Sequence, residues 1–219
     1  MIPAGRTQRK SLDLASSPAT GRTSTCTQFA WQIVTHGVTA EGVPGSAMEC
    51  RSQRHVIFYN HIMDEQSERT LARLIRETRV AALGTLHEGE PNLAMVAYSF
   101  TDDFSAFYIH VSKLGKHTAD MENDPRVSLL IAETDDRRLD PQTLARVSIR
   151  GTAEILPRTD PDYAQVKQNY LERFPEAEQL FSLGDFNLWK ITPKGSRFVA
   201  GFGRAFNLVP EALRKVSDL

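Results

Sequence analysis

The chain has 219 residues, of which 41% are hydrophobic and 24% are charged, and its formal net charge at pH 7 is −1. This composition is typical of one soluble globular domain and lacks the basic excess of many nucleic-acid-binding proteins, so we expect no nucleic-acid partner. No apolar run reaches the roughly 18–20 residues that a helix needs to cross a bilayer, which argues against a membrane location. The two cysteines, Cys26 and Cys50, lie early in the chain, so disulfides are not expected in its core and a cytoplasmic location is predicted.

Residues 1–62 differ in composition from the rest of the chain. They contain six basic and three acidic residues, are rich in Ser, Thr, Gly and Pro, and show no lasting helical or strand period. Such a segment cannot bury enough apolar surface to offset the entropy lost on ordering. We predict a disordered or non-native N-terminal extension, with Met63 as a natural start. A basic, acid-poor segment also fits an organelle transit peptide, which is the less favoured alternative.

The remainder, residues 63–219, alternates between apolar runs and turn-rich segments. A helix is predicted at Gln66–Thr78, capped by Ser67, because its apolar residues recur at helical spacing. Four β-rich runs follow. The first three are joined by short turns, which predicts antiparallel neighbours in a meander. The runs are Arg79–Leu86, Asn92–Phe100, Ala106–Val111 and Arg126–Ala132. The second run is apolar on both faces, so we expect helices or a second subunit to cover it.

The second half of the domain is predicted to close the sheet. Its turn residues and apolar periods indicate a long strand, a helix that a proline ends, a final hairpin and a short amphipathic helix. The strand is predicted at Leu144–Leu156, the helix from Asp160 to about Phe174, the hairpin at Phe186–Ile191 and Arg197–Phe202 around Pro193–Gly195, and the last helix at Pro210–Leu219.

A cationic loop between the third and fourth runs is the first candidate binding site. It carries Ser112, Lys116 and His117, and a short predicted helix follows it. A hydroxyl, an ammonium and an imidazole can all donate hydrogen bonds to a phosphate, and a helix start favours negative charge. The residues alone do not exclude an ordinary solvated loop.

Several ordered motifs also carry a family resemblance. Between about residues 65 and 208 the chain resembles the FMN-binding split-barrel family of pyridoxamine 5'-phosphate oxidase, and it is most similar to the HugZ-type haem-utilisation branch. The resemblance implies an α+β, mainly β domain over residues 63–219, a split β-barrel with flanking helices. It also implies a homodimer with two FMN sites at the interface. The motifs are ALGTL at 82–86, HVSKLGKHTADM at 110–121, DPRVSLLI at 124–131, ARVSIRG at 145–151, RFP at 173–175, DFNLWKI at 185–191 and RFVAGFGRA at 197–205.

The resemblance implies particular contacts to FMN. The loop with Ser112, Lys116 and His117 would hold the phosphate, and backbone groups around Met95, Val96 and Ala97 would contact the ring. Arg146 would lie near the pyrimidine side of the ring, where a cation stabilises reduced flavin. Arg150 shares its strand face because four residues is an even step, and it is the alternative to Arg146.

The chain also departs from the oxidase pattern. Ala94 and Ser99 stand where the oxidase branch has an arginine and a lysine, and the segment at 201–205 lacks the Arg-x-His pair that binds pyridoxal. No histidine follows His117, so the C-terminal iron ligand of HugZ-type proteins is missing. We therefore expect negligible oxidation of pyridoxamine 5'-phosphate and only weak haem binding, unless His110 or His117 replaces that ligand.

The sequence thus predicts an FMN-dependent oxidoreductase acting on an unidentified small molecule. Two alternatives stay open. One is a HugZ-type protein that binds and degrades haem, and the other is a non-catalytic flavin- or haem-binding protein.

Overall fold

The computed structural model describes residues 63–137 and 140–219, and the predictions for residues 1–62 lie outside them. The described chain forms one antiparallel sheet with helices packed around it, as the sequence predicted. Its helices are α1 (Glu65–Glu77), α2 (Lys116–Asn123), α3 (Tyr163–Arg173) and α4 (Pro210–Val216), with 3-10 helices at Pro141–Thr143 and Pro175–Ser182. Its strands are β1 (Val80–His87), β2 (Glu90–Ala97), β3 (Ser99–Phe100), β4 (Phe107–Ser112), β5 (Arg126–Ala132), β6 (Arg146–Ile155), β7 (Phe186–Gly201) and β8 (Arg204–Leu208).

The sheet curls until its two ends meet. The strand order is β2-β1-β5-β6-β7-β4-β3, with β8 paired to β7, and every pairing is antiparallel. The two end strands, β2 and β3, are separated along the chain by Tyr98 alone. Tyr98 is fully buried, and its hydroxyl donates to the Ile75 carbonyl oxygen at 2.8 Å. One bent segment therefore joins both ends of the sheet, which produces the expected split barrel.

Helix α1 begins at Glu65, one residue before its predicted start, and its cap lies three residues before the predicted one. Asp64, not Ser67, is the N-cap residue, and its Oδ1 accepts a hydrogen bond from the Ser67 backbone N–H at 2.9 Å. A carboxylate satisfies this orphan N–H as well as a hydroxyl does and also suits the helix dipole. The predicted apolar face is confirmed, since Leu71, Leu74 and Ile75 are buried in the barrel core.

The prediction of a closing hairpin around Pro193–Gly195 is wrong. Residues 186–201 form one sixteen-residue strand, β7, which pairs with β4 along its first half and with β8 along its second half. Pro193 lies opposite Gly151, where the register of β6 and β7 shifts. A bulge tolerates the missing N–H of a proline, so the Pro-Lys-Gly sequence bends the strand without ending it. The real turn follows at 202–203, where Gly203 has a φ of 75°.

A second hydrophobic cluster lies outside the barrel, beneath α3 and the 3-10 helix at Pro175–Ser182. Arg173 fastens this layer to the rest of the fold. Its guanidinium donates to three backbone carbonyl oxygens, those of Arg76 at 2.6 Å, Tyr98 at 3.0 Å and Thr78. Because the Arg76 and Thr78 carbonyls end α1, one side chain links two helices and the β2–β3 bend. No helix of the described residues has both the length and the apolarity needed to span a membrane.

Candidate functional site

The candidate site lies on the outer face of the sheet, where β1, β5, β6 and β7 run side by side. Directly opposed residues of antiparallel strands share a face, so the register identifies that surface. Gly84 lies opposite Ser128, Ser128 opposite Arg150, and Arg150 opposite Gly195. The inward-facing residues of the same strands form the barrel core. The outer face therefore carries the side chains that are free to meet a ligand or another subunit.

One end of this face forms a cleft of about 550 Å³, which we call the cationic cleft. Arg126, Arg150 and Lys194 line it, together with the backbone and small side chains of β1, β5 and β6. Arg126 is paired with the Asp124 carboxylate. Among residues 63–137 and 140–219, Arg150 and Lys194 have no ion-pair partner. Two uncompensated cations beside an apolar floor suit a ligand that has an apolar body and an acidic end.

The other end of the same face forms an apolar groove of about 490 Å³. It contains Leu93 and Met95 of β2, which are 75% and 76% exposed, and Leu130 of β5, which is 40% exposed. These residues are neighbours, because Ala82 lies opposite both Met95 and Leu130. The sequence predicted that β2 is covered on both faces, but within the described chain only its inner face is covered. An exposed apolar patch of this kind is typical of a ligand or subunit contact.

A buried carboxylate lies on the inner side of β1, behind the cationic cleft. Asp120 of α2 is 1% exposed, and its carboxylate accepts hydrogen bonds from Thr85 Oγ1 at 2.8 Å and Asn92 Nδ2 at 2.7 Å. Its Oδ1 lies 2.7 Å from His87 Nδ1. Burial raises the pKa of Asp120, but hydrogen bonds from Asn92, Thr85 and His87 outweigh it and hold the pKa below its ordinary value of 3.8. Asp120 is therefore ionised at neutral pH and fixes the β1–β2 turn to α2.

The predicted phosphate loop is compact and partly committed to internal contacts. Ser112 Oγ donates to Asp185 Oδ2 at 2.6 Å and accepts from the Leu114 N–H at 3.1 Å. Lys116 is exposed at the first position of α2, and the ring of His117 folds back over Gly115. His117 Nε2 is buried without a partner in the described chain, and burial lowers the pKa of this histidine. The structure thus brings the three predicted residues to one loop and leaves Lys116 the most accessible of them.

The predicted ring contacts divide between two environments. Met95 projects into the apolar groove, Val96 faces the barrel core, and Ala97 packs partly buried against the second cluster. Arg146 donates to the carbonyl oxygens of Leu144 at 3.0 Å and Gln142 at 3.3 Å, so its guanidinium is held at the loop that precedes β6. Arg150, the alternative on the same strand face, is the arginine that lines the cationic cleft.

Sequence reasoning missed the polar residues around the cleft. Lys194 was assigned to a turn, His87 to another turn, and Asp120 to an ordinary helix. No local pattern marks them, because Asp120 meets His87 from 33 residues away along the chain and Lys194 lines the cleft with Arg150 from 44 residues away. Among the described residues, no three His, Cys, Asp or Glu side chains are arranged to hold a metal ion on their own.

A family model described as pyridoxamine 5'-phosphate oxidase matches residues 67–200, which run from α1 through most of β7. The chain belongs to this family. Within the pyridoxamine 5'-phosphate oxidase family, the resemblance to the haem-utilisation branch is also supported by the relatives found.

Two curated relatives within this family are haem oxygenases. The chloroplastic haem oxygenase HOZ of Arabidopsis thaliana is 35% identical over 120 residues, which cover 55% of this chain and 35% of the relative. The haem oxygenase HutZ of Vibrio cholerae is 26% identical over 135 residues, which cover 61% of this chain and 76% of the relative. The chain therefore matches only about a third of the Arabidopsis protein. A solved haem-binding protein of Mycobacterium smegmatis is 28% identical with a TM-score of 0.61, over 71% of this chain and 62% of its own.

Proposed function

We propose that this protein binds haem and takes part in its oxidative degradation. The observation that carries the proposal is the similarity to relatives whose names specify haem, together with the cationic cleft on the outer face of the sheet. This supports haem more strongly than the flavin that the sequence favoured. Haem would supply the iron centre for oxygen chemistry, while the protein would bind, orient and shield it.

The residues of the outer face fit haem chemically. The porphyrin is a largely apolar disc with two carboxylates on one edge. Gly84 and Leu86 in the wall of the cationic cleft offer apolar contact, and Arg150 and Lys194 offer charge-assisted hydrogen bonds to the carboxylates. Such bonds are each worth about 1.5–3 kcal/mol, so two of them can fix the orientation of a ligand.

A homodimer is part of the proposal. The apolar groove leaves Leu93 and Met95 uncovered in one protomer, and a second copy would bury them. We expect that Met95→Asp lowers the dimer fraction measured by analytical ultracentrifugation, because it places a charge in the proposed interface. The matched control is Glu90→Asp, at an exposed position of the same strand. An unchanged mass distribution for Met95→Asp would reject this face as the interface.

FMN is the second candidate ligand. The same cations that would bind a carboxylate could bind the FMN phosphate, and so could Lys116 at the start of α2. Together with the family resemblance, this supports a flavin-dependent oxidoreductase as the alternative function. If the flavin is bound by that loop, replacing Lys116 and His117 by alanine will weaken FMN by more than tenfold and leave riboflavin almost unchanged. Equal losses for both flavins would exclude phosphate contact there.

The deciding experiment is a titration of the purified full chain with haem and with FMN, followed by absorption spectroscopy. We expect tight haem binding, and a loss of more than tenfold in affinity when Arg150 and Lys194 are both changed to alanine. The control removes two remote cations, Arg69 and Arg214, and should not alter the affinity. Saturable FMN binding without haem binding would overturn the proposal in favour of the flavin.

The cytoplasm stays the proposed compartment. One relative is chloroplastic by name, which would suit the transit-peptide alternative for residues 1–62. Cell fractionation with an antibody against the barrel distinguishes the two locations.

A further inference from the structure

A second cleft lies beside the cationic cleft on the outer face of the sheet. It has a volume of about 640 Å³, and its lining includes Arg197 of β7 and Asn207 of β8, so we call it the Arg197 cleft. Arg197 lies opposite both Ser148 and Asn207, which places the three side chains on one face. Arg150 and Lys194 line both clefts, which therefore adjoin along β6 and β7.

Arg197 and Asn207 orient each other in this cleft. The Nη1 atom of Arg197 donates to Asn207 Oδ1 at 2.8 Å, and both residues are exposed. A guanidinium has further N–H groups, and an amide that accepts through its oxygen still presents its NH2 group as a donor. In the part of the chain that the structure describes, Arg197 has no ion-pair partner. The pair is therefore an oriented, uncompensated set of donors for an acidic group.

Arg150 lies between the two clefts because its neighbour on β7 is a glycine. Gly195 is opposite Arg150 in the register, and a Cβ atom on Gly195 would lie 3.4 Å from Arg150 Nη2. The guanidinium therefore lies over the β7 backbone, where it can donate to a ligand in either cleft. Arg197 follows Gly195 by two residues on the same strand, so the Cα atoms of the two arginines are roughly 8 Å apart.

The described histidines lie away from this face. His87 is on the inner side of β1, where its Nδ1 is 2.7 Å from the Asp120 carboxylate. His110 is stacked on Phe181 with both ring nitrogens buried, and the Nε2 atom of His117 is also buried. Among the described residues, the lining of the two clefts includes no histidine, cysteine, methionine or tyrosine. The clefts thus present donors for acidic groups and apolar surface, and their described side chains are not of the kinds that ligate haem iron.

We propose that the two clefts form one site, which recognises a tetrapyrrole by its two carboxylates and not by its metal. One carboxylate binds Arg150 and Lys194, and the other binds Arg197 and Asn207. This inference rests on the proposed haem function and specifies the ligand class as apolar tetrapyrroles with two acidic groups, with or without iron. Haem and its iron-free parent, protoporphyrin IX, are then equivalent ligands.

The test titrates the full 219-residue chain with ferric haem, with protoporphyrin IX and with the dimethyl ester of protoporphyrin IX. Absorption spectra follow haem binding, and the fluorescence of the porphyrin follows the two iron-free ligands. We expect the dissociation constants of haem and protoporphyrin to agree within about threefold. The dimethyl ester keeps the apolar disc but lacks both negative charges, so it should bind more than about tenfold more weakly.

Two variants test the Arg197 cleft. Arg197→Gln should weaken protoporphyrin binding by about tenfold and leave the dimethyl ester almost unchanged, because only the diacid meets the guanidinium. Asn207→Asp should act in the same direction, since the new carboxylate pairs with Arg197 and repels the acidic ligand. The matched control is Arg69→Gln, which removes an exposed arginine of α1 and should change neither affinity.

The outcomes distinguish this inference from the proposed function. Haem that binds more than about tenfold more tightly than protoporphyrin would show that the iron carries the binding, which overturns the inference alone. An ester that binds as well as the diacid, or an unchanged affinity in Arg197→Gln, overturns it as well. Protoporphyrin binding without haem binding overturns the proposed function alone, and the absence of binding for both ligands overturns the two together. Equal affinities, with losses for the ester and for Arg197→Gln, support both.

Discussion

His110 should make the protein lose stability between pH 6.5 and about pH 4. Its ring lies beneath α3, stacked on Phe181 and edge-on to Tyr170, and neither ring nitrogen has a partner in the described chain. Burial, followed by the positive charges of Arg158 and Lys167, lowers the pKa of His110 from 6.5 to about 4. The folded state therefore resists a proton that the unfolded chain accepts readily.

The sign and the size follow from proton linkage. Between pH 6.5 and about 4 the unfolded chain binds more protons at this site than the folded chain does, so stability rises with pH over that window. The stabilisation is fully present above pH 6.5 and is lost as the pH falls toward 4. A pKa unit corresponds to about 1.4 kcal/mol, which sets an upper limit of roughly 3 kcal/mol. Relaxation of the folded chain around a charged ring reduces our expectation to roughly 1–2 kcal/mol.

The test compares the parent with His110→Phe by urea unfolding at pH 7.5, 6.5, 5.5 and 4.5. Phenylalanine keeps an aromatic ring against Phe181 and cannot be protonated, so its stability should fall less over this range. The free energies of unfolding of the two proteins should diverge by roughly 1–2 kcal/mol between pH 7.5 and 4.5. Parallel curves would mean that His110 is protonated in the folded state, and would refute this account of its burial.

Three further outcomes are expected. Arg173→Ala should lower the free energy of unfolding in urea by about 2–4 kcal/mol, because three backbone carbonyls lose a charged donor. The control Glu172→Ala, on the same helix, should change it by less than about 0.5 kcal/mol. Gly151→Ala should cost about 1–3 kcal/mol, since a Cβ there would overlap the Thr192 carbonyl oxygen, and a cost near zero would show that the backbone at the bulge shifts freely. A protein that begins at Met63 should keep the melting temperature and haem affinity of the full chain, and a large fall in either would show that residues 1–62 belong to the fold.

The sequence predicted most elements because their signals are local. Period-two apolar runs marked the strands, and the bounds of β5 at Arg126–Ala132 are confirmed as predicted. The same reasoning failed at Pro193, where a local turn signal was overruled by pairing of the flanking residues with β4, β6 and β8. It also named Ser67 as the cap of α1, although Asp64 caps the helix, because both residue types can cap a helix and only the backbone path distinguishes them.

By itself, the sequence determined the fold class, the position of the barrel and its family, since hydrophobic periods and ordered motifs are properties of the chain read in order. Only the tertiary structure decided which charged and polar side chains lie next to one another. Arg150 and Lys194 line one cleft only because β6 lies beside β7, and His87 meets Asp120 only because α2 packs against the β1–β2 turn. These contacts join residues 33 and 44 positions apart, and no spacing rule predicts them. Their chemistry comes from burial and register, which exist only once the sheet has closed.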